Sequence, residues 1–118
     1  MRTYRGDEDI MEKLNYTFAA GAPAAGRAVT GVVSSGDLEV LLEPGDNGST
    51  TVVVQTSVDG YGHNWTALLE RVLGPGTLPA ARIEINDNGA TPGVVRMRIE
   101  QAFEEQGRAD NSDRENRA

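Results

Sequence analysis

The most constraining stretch of this chain is residues 31–44, which read GVVSSGDLEVLLEP. Two runs of β-forming residues meet there at Ser34, Ser35, Gly36 and Asp37, and so short a link predicts a β-hairpin or a sharp bend. Glycine adopts backbone angles that other residues resist, and aspartate and serine side chains bond the backbone of their own turn. The pattern therefore predicts an exposed serine hydroxyl at the tip of a rigid β element, although turn formation alone accounts for most serines in such places.

Five stretches of the sequence have the pattern of β-strands. Leu14, Tyr16 and Phe18 alternate with polar residues, which predicts a half-buried strand with its apolar face at the even positions. The strongest strand signal is the β-branched run that follows the turn-forming residues 43–49. The predicted strands cover residues 14–18, 27–34, 38–42, 50–58 and 81–85.

Two stretches have helical periodicity. Asn64 is predicted to cap a helix that begins at Trp65, and Thr91 followed by Pro92 is predicted to begin a second helix that Gly107 ends. Each helix carries one apolar stripe that is broad enough to pack on a sheet. The stripes are Trp65, Leu68, Leu69, Val72 and Leu73 in the first helix, and Val95, Ile99, Ala102 and Phe103 in the second. We expect the tryptophan to be a core anchor.

The predicted element order is β-β-β-β-α-β-α. It indicates an α+β fold, a two-layer sandwich in which a mainly antiparallel sheet of about five strands has two helices on one face. Four successive strands favour an antiparallel meander for most of this sheet. Residues 14–107 are predicted to form the domain, preceded by a flexible leader at 1–13 and followed by a disordered tail at 108–118.

Composition excludes several kinds of partner and site. The net charge of −7 argues against nucleic acid and anionic membrane surfaces. Solubility alone accounts for most such charges, although an acidic chain also suits docking on basic protein partners, which we expect to meet Asp37 and Glu39 beside the serines. With no cysteine and His63 as the one histidine, the chain lacks the residues for a disulfide, a thiolate metal site or a catalytic triad. We expect no metal, no catalytic residue and a cytoplasmic location.

Two segments resemble one known family. SSGDLEVLLEP is similar to the modification site of the acyl carrier (delta) subunit of malonate decarboxylase, and its SGD core is similar to that of the related citrate lyase acyl carrier. The second segment, INDNGATPGVVRMRIEQAFEE at residues 85–105, resembles the C-terminal part of the same malonate decarboxylase subunit. The likeness covers most of the chain, from about residue 14 to about residue 107, and the two motifs together are far more specific than SGD alone.

The resemblance implies a covalent prosthetic group. In that family the serine of SGD carries 2'-(5''-phosphoribosyl)-3'-dephospho-CoA through a phosphodiester, and the matching position here is Ser35, followed by Gly36 and Asp37. Ser34 is the alternative candidate. The reactive thiol then belongs to the arm, because the chain has no cysteine. The common helical acyl carriers attach their arm at a DSL motif that begins a helix, so their four-helix fold is not implied.

The resemblance also implies the partners. The arm would bear an acetyl group, which a transferase (alpha) subunit exchanges for malonate, and the beta and gamma subunits would decarboxylate the resulting malonyl thioester. The chain would be a non-catalytic subunit that a prosthetic-group transferase modifies. Two alternatives stay open, namely the carrier of a related lyase of the citrate lyase type and an interaction module that never carries an arm.

Overall fold

The structure, a computed structural model, describes residues 12–56 and 64–117, with side chains as far as residue 108. Predictions that concern residues 1–11, 57–63 and 118 lie outside the described residues, and these include most of the flexible leader and His63 before the first helix. Within the described ranges the elements follow the predicted order. They are β1 (Glu12–Ala19), β2 (Ala28–Gly31), β3 (Asp37–Pro44), β4 (Ser49–Thr56), α1 (Trp65–Leu73), β5 (Ala81–Asn88) and α2 (Pro92–Arg117).

The strands form one sheet with the order β1-β4-β5-β3-β2, and the expected α+β class is confirmed. β4 and β5 are parallel, whereas every other neighbouring pair is antiparallel. The expected meander is therefore wrong, because β1 pairs with β4 and β5 lies between β3 and β4, so β2 and β3 are the one consecutive pair of the first four strands that are neighbours. The connection through α1 returns the chain to the starting end of β4, which a parallel neighbour requires.

The core lies between one face of the sheet and the two helices. Ile83 is paired with Val52 and Leu42, and all three side chains are buried. Both predicted helical stripes are confirmed, since Trp65 is 6% exposed and Val95 is fully buried. Leu14, Tyr16 and Phe18 pack against this core from β1, as their alternation predicts. The sheet thus buries alternate side chains under one layer of helices.

The predicted caps of both helices are also present. The side chain of Asn64 accepts a hydrogen bond from the backbone N–H of Ala67 at 3.0 Å. The hydroxyl of Thr91 accepts one from the N–H of Val94 at 3.3 Å. Each cap satisfies a backbone donor that the first turn of a helix leaves without a partner.

Several element boundaries differ from the sequence-based expectation, and three of them bear on the site or on the tail. β2 ends at Gly31 instead of Ser34, because Gly31 turns the chain with a φ of 76° and its backbone lies against the carbonyl of Leu38. β5 extends to Asn88, where its last residues pair with the start of β3. α2 does not end at Gly107, and the backbone of residues 108–117, expected to be disordered, is helical. Arg108 forms ion pairs with Glu104 and Glu105 across that point, which supports a continuous helix.

The division of the chain into leader, domain and tail otherwise stays a prediction. β1 begins at Glu12, inside the segment that was expected to be the leader. Within residues 12–56 and 64–117, neither helix has the length and apolar character that a bilayer crossing requires.

Candidate functional site

The loop 32–36 between β2 and β3 ends in a tight turn that presents two serines. The carbonyl oxygen of Ser34 accepts a hydrogen bond from the N–H of Asp37 at 3.0 Å, which closes a four-residue β-turn. Gly36 occupies the third position with a φ of 80°, a conformation that type II turns require there and that glycine adopts without strain. The expected hairpin is confirmed, with Ser35 at the corner of its terminal turn.

Both serine side chains are exposed at this turn. Among the described residues, neither hydroxyl takes part in a hydrogen bond. A Cβ added at Gly36 would meet no atom within 4 Å, so the space beside Ser35 is open. The turn therefore offers accessible hydroxyl groups with room for a bulky substituent.

The turn is attached to the end of β5 through its backbone. The N–H of Gly36 donates a hydrogen bond to the carbonyl of Asn88 at 2.8 Å, and Asp37 also forms a bridge with Gly89. These contacts join the tip of the β2–β3 hairpin to a strand that is distant in sequence. The hairpin tip is consequently held on one side by the sheet.

Asp37 holds the turn on its other side. Its Oδ2 accepts a hydrogen bond from Nη2 of Arg98 at 2.9 Å, and its Oδ1 accepts from Nε of Arg98 at 3.2 Å. Oδ1 also accepts from the N–H of Leu38 at 2.7 Å. The guanidinium of Arg98, and secondly the N–H of Leu38, hold the pKa of Asp37 below its ordinary value, although partial burial opposes this shift. Asp37 is thus an ionised anchor engaged inside the domain.

This finding corrects the expectation that Asp37 would face basic partners. Its side chain is only 17% exposed, and the charge is paired with Arg98, whose side chain is 26% exposed. Glu39 accepts a hydrogen bond from the side chain of Asn86, its register partner on β5, at 3.2 Å. Bracing of the turn therefore explains the position of the Asp37 side chain better than docking on a partner does.

Arg98 is itself held on α2 by neighbouring groups. Its Nη1 donates to Oε1 of Gln101 at 3.1 Å. The hydroxyl of Thr30 on β2 donates to the carbonyl of Arg98 at 2.7 Å. A Cβ on Gly31 would lie 3.1 Å from Nε of Arg98, so a glycine at this position leaves room for the guanidinium. These contacts fix both the helix and the side chain that reach the turn.

The second motif contributes a structural corner next to the turn. Asp87 is 4% exposed and accepts hydrogen bonds from the hydroxyl of Thr56 at 2.9 Å and the N–H of Ala90 at 3.0 Å. Gly89 turns the chain with a φ of 88° before α2 begins. The expectation that the turn begins at Asn86 and includes Asp87 is wrong, because both residues are paired within β5, and the chain turns only at Gly89. A docking role for this segment stays a prediction.

The structure thus brings three of the predicted site residues, Ser35, Gly36 and Asp37, together with Ser34 on one turn. It adds Arg98, which is not a member of the predicted apolar stripe of α2 and was not a predicted site residue. The sequence did contain one indication that Arg98 lies near the core. It is three residues after Val95 and next to Ile99, which places it at the margin of the buried face of α2. Its partner, however, was not indicated by any local pattern.

Other features of the described residues are less suited to a site. A groove of about 430 Å³ lies on the sheet face away from the helices, lined mainly by β2–β5 residues such as Val29, Leu41, Val53 and Arg82. It does not include the serine turn. Within the described residues there is no group of three histidine, aspartate or glutamate side chains that could hold a metal ion. The exposed serines on their braced turn are therefore the strongest candidate, and they fit a bulky covalent group.

The comparisons with known proteins agree on one family. Residues 25–106 match the family model described as Malonate decarboxylase delta subunit (MdcD). The chain is 59% identical over 97 residues to the malonate decarboxylase acyl carrier protein of Pseudomonas paraeruginosa, covering 82% of this chain and 98% of that protein. It is 58% identical over 97 residues to the protein of the same name in Pseudomonas fluorescens, with the same coverage.

A solved structure is similar in both fold and sequence. It is a chain in the crystal structure of a Pseudomonas malonate decarboxylase hetero-tetramer in complex with malonate. The TM-score is 0.76 and the sequence identity is 56%, over 80% of this chain and 98% of that chain.

Proposed function

Because this chain belongs to the malonate decarboxylase delta subunit family, we propose that it is the acyl carrier of a malonate decarboxylase and holds acyl groups on an arm attached to Ser35. The observation that carries the proposal is the exposed serine at the corner of a turn braced by both β5 and α2. A carrier needs such a rigid mount, since its partners supply the catalytic groups and the arm supplies the reactive atom. A non-catalytic role for the chain follows from this division.

The arm is proposed to be 2'-(5''-phosphoribosyl)-3'-dephospho-CoA in phosphodiester linkage. In the attachment step the oxygen of the Ser35 hydroxyl forms a bond to phosphorus of an activated phosphoanhydride of the arm. The phosphoanhydride bond breaks, its leaving group takes the bonding electron pair, and the hydroxyl proton passes to a base of the transferase. The attached group supplies a terminal thiol that carries acyl groups as thioesters.

Turn position favours Ser35 over Ser34. Serine is common at the first position of a β-turn, where Ser34 lies and where its carbonyl closes the turn. Ser35 occupies the corner position, and the neighbouring Gly36 leaves open space beside it. The chain's own residues thus hold the backbone of the turn that presents the hydroxyl, while the transferase supplies the acid and base groups.

The partners follow from the carrier role. A tethered acyl group reaches each active site at a high local concentration, provided that the catalytic subunits lie within reach of one mount. We assign the acyl exchange to a transferase (alpha) subunit and the decarboxylation to beta and gamma subunits, with a separate transferase for the arm. The family match favours malonate over citrate as the acid that is processed, and cytoplasmic action accords with these partners.

The test compares wild type, Ser35→Ala and Ser34→Ala, each coexpressed with the arm-forming and arm-transferring enzymes and analysed by intact mass. Wild type and Ser34→Ala should each gain one arm, whereas Ser35→Ala should gain none while its circular dichroism stays that of a folded protein. Modification of Ser35→Ala with loss in Ser34→Ala would move the site to Ser34. An unmodified wild type, next to an authentic carrier that is charged, would favour an interaction module that never carries an arm.

A further inference from the structure

Arg98 links the helix layer to the candidate attachment turn. We propose that Arg98 is a positioning residue for arm attachment, which acts through the carboxylate of Asp37 to hold the Ser35 turn in the conformation that the transferase recognises. The inference rests on the proposed function, because it assigns a role in modification of the same serine. It concerns a residue outside the SGD motif.

The geometry restricts the turn in a specific way. Two parallel hydrogen bonds from one guanidinium to one carboxylate fix the relative orientation of both groups, and not only their distance. On the opposite side, the N–H of Gly36 is bonded to Asn88. The corner that carries Ser35 is therefore clamped between α2 and β5.

Arg98 can act as a clamp because it is not free to follow the loop. Gln101 holds one arm of its guanidinium, and Thr30 holds its backbone carbonyl. Gly31, at the beginning of the same loop, provides the space that the side chain fills. A movement of the turn would thus have to break contacts with both α2 and β5.

A clamped turn favours transfer of the arm for two physical reasons. A turn whose backbone is already held in place loses less conformational entropy when the transferase binds the serine, so more of the encounters are productive. In addition, the carboxylate of Asp37 is near in sequence to Ser35 and would repel an incoming phosphate group. Pairing with Arg98 balances that charge before the phosphate arrives.

Arg96 offers a matched control. It lies on the same helix, carries the same charge and forms an exposed ion pair with Glu100 instead of contacting the turn. The Arg96→Gln and Arg98→Gln variants therefore remove the same group from the same element, and each removes one positive charge. They differ in whether Asp37 loses its partner.

The experiment follows arm transfer by intact mass over time, with purified unmodified carrier, the arm transferase and the activated arm. Each carrier is used at a temperature at which thermal melts show it to be more than about 95% folded. For Arg98→Gln we expect kcat/KM to fall by about tenfold or more, mainly through kcat, because docking is retained while productive alignment is lost. Arg96→Gln should stay within about twofold of wild type.

Two further variants test the mechanism itself. Arg98→Lys keeps the charge without the planar fork and should regain part of the rate lost in Arg98→Gln. The double variant Asp37→Asn with Arg98→Gln should be no slower than the slower of its two single variants, because both residues act as one unit. Arg98→Lys, compared with Arg96→Lys, takes over as the test if Arg98→Gln does not fold.

Each outcome bears on the proposal. Arming of folded Arg98→Gln at the wild-type rate, an equal loss in Arg96→Gln, a change confined to KM, or fully additive losses in the double variant would each overturn the positioning role. These results would leave the carrier function intact, because wild type would still be armed. A wild type that is not armed would instead remove the proposed function and with it this inference.

Discussion

Gly31 and Gly36 provide a test of how closely the loop is packed. Both have a positive φ, 76° and 80°, and they stand at the two ends of the segment that carries the serines. Their surroundings differ, since a Cβ on Gly36 would meet nothing within 4 Å, whereas a Cβ on Gly31 would overlap the carbonyl oxygen of Leu38. Alanine at Gly36 should therefore cost only the free energy of a strained backbone conformation. Alanine at Gly31 should cost that free energy and also the free energy of a steric clash.

The expected magnitudes follow from these surroundings. The left-handed conformation costs an L-residue about 1–2 kcal/mol, and the stiffer unfolded chain of alanine offsets about 0.4–1 kcal/mol of this. Gly36→Ala should thus lower the free energy of unfolding by roughly 0.5–1.5 kcal/mol. Gly31→Ala adds a backbone displacement of β2 against β3, worth about 1–3 kcal/mol more, for a total of roughly 2–4 kcal/mol.

Thermal and urea unfolding followed by circular dichroism measure both variants. At about 4 °C per kcal/mol for a domain of this size, the melting temperature should fall by roughly 2–6 °C in Gly36→Ala and 8–16 °C in Gly31→Ala. Equal losses in the two variants would refute the reasoning, because they would show that Gly31 does not lie against the Leu38 carbonyl. A larger loss in Gly36→Ala would show that its side of the turn is not open.

Three further predictions concern the core, the ion pair and the end of α2. Trp65→Ala should lower the free energy of unfolding by about 3–5 kcal/mol in urea titrations, since the ring is buried; wild-type stability with weakened partner binding would instead make the ring a docking anchor. The Asp37–Arg98 pair should stabilise the fold above the ordinary Asp37 pKa of 3.8, and this contribution should be lost as the pH falls through the lower pKa of the folded state. Asp37→Asn should therefore be less stable than wild type at neutral pH, with the difference shrinking between about pH 5 and pH 2; a constant difference would contradict the ion pair. Removal of residues 109–118 should change the melting temperature by less than about 4 °C, because the last buried side chain of α2 among the described residues is Gln106, and a greater loss would reveal packing beyond it.

The elements that the sequence predicted are those governed by local rules. Alternation of apolar residues located β1, because side chains of a strand point to opposite faces in turn. The helical stripes and the caps at Asn64 and Thr91 are likewise visible locally, since capping depends on a polar side chain within three residues of the donor it satisfies. The turn at Ser34 to Asp37 belongs to the same class, and the motif around it, together with the second segment at residues 85–105, indicated the family.

The errors arose where local rules compete with packing. Glycine often ends a helix, but α2 continues past Gly107. Arg108 forms ion pairs with Glu104 and Glu105 across this position. β2 was predicted to run to Ser34 because Val32 and Val33 favour strands, but both are exposed in a loop that Gly31 begins. β-propensity reflects a fit to a half-buried surface, and no such surface lies beside these two valines.

The sequence by itself therefore determined the order of elements, the apolar faces of the helices and the serine turn that marks the candidate site. Only the tertiary structure decided that β5 lies between β3 and β4, and that Arg98 reaches Asp37 across 61 positions of the chain. Strand pairing and ion pairing both depend on which distant elements the core brings together, and several arrangements satisfy the same local pattern. The brace of the attachment turn is for that reason a property of the packed sheet and helix, whereas the exposed serine is a property of the turn sequence alone.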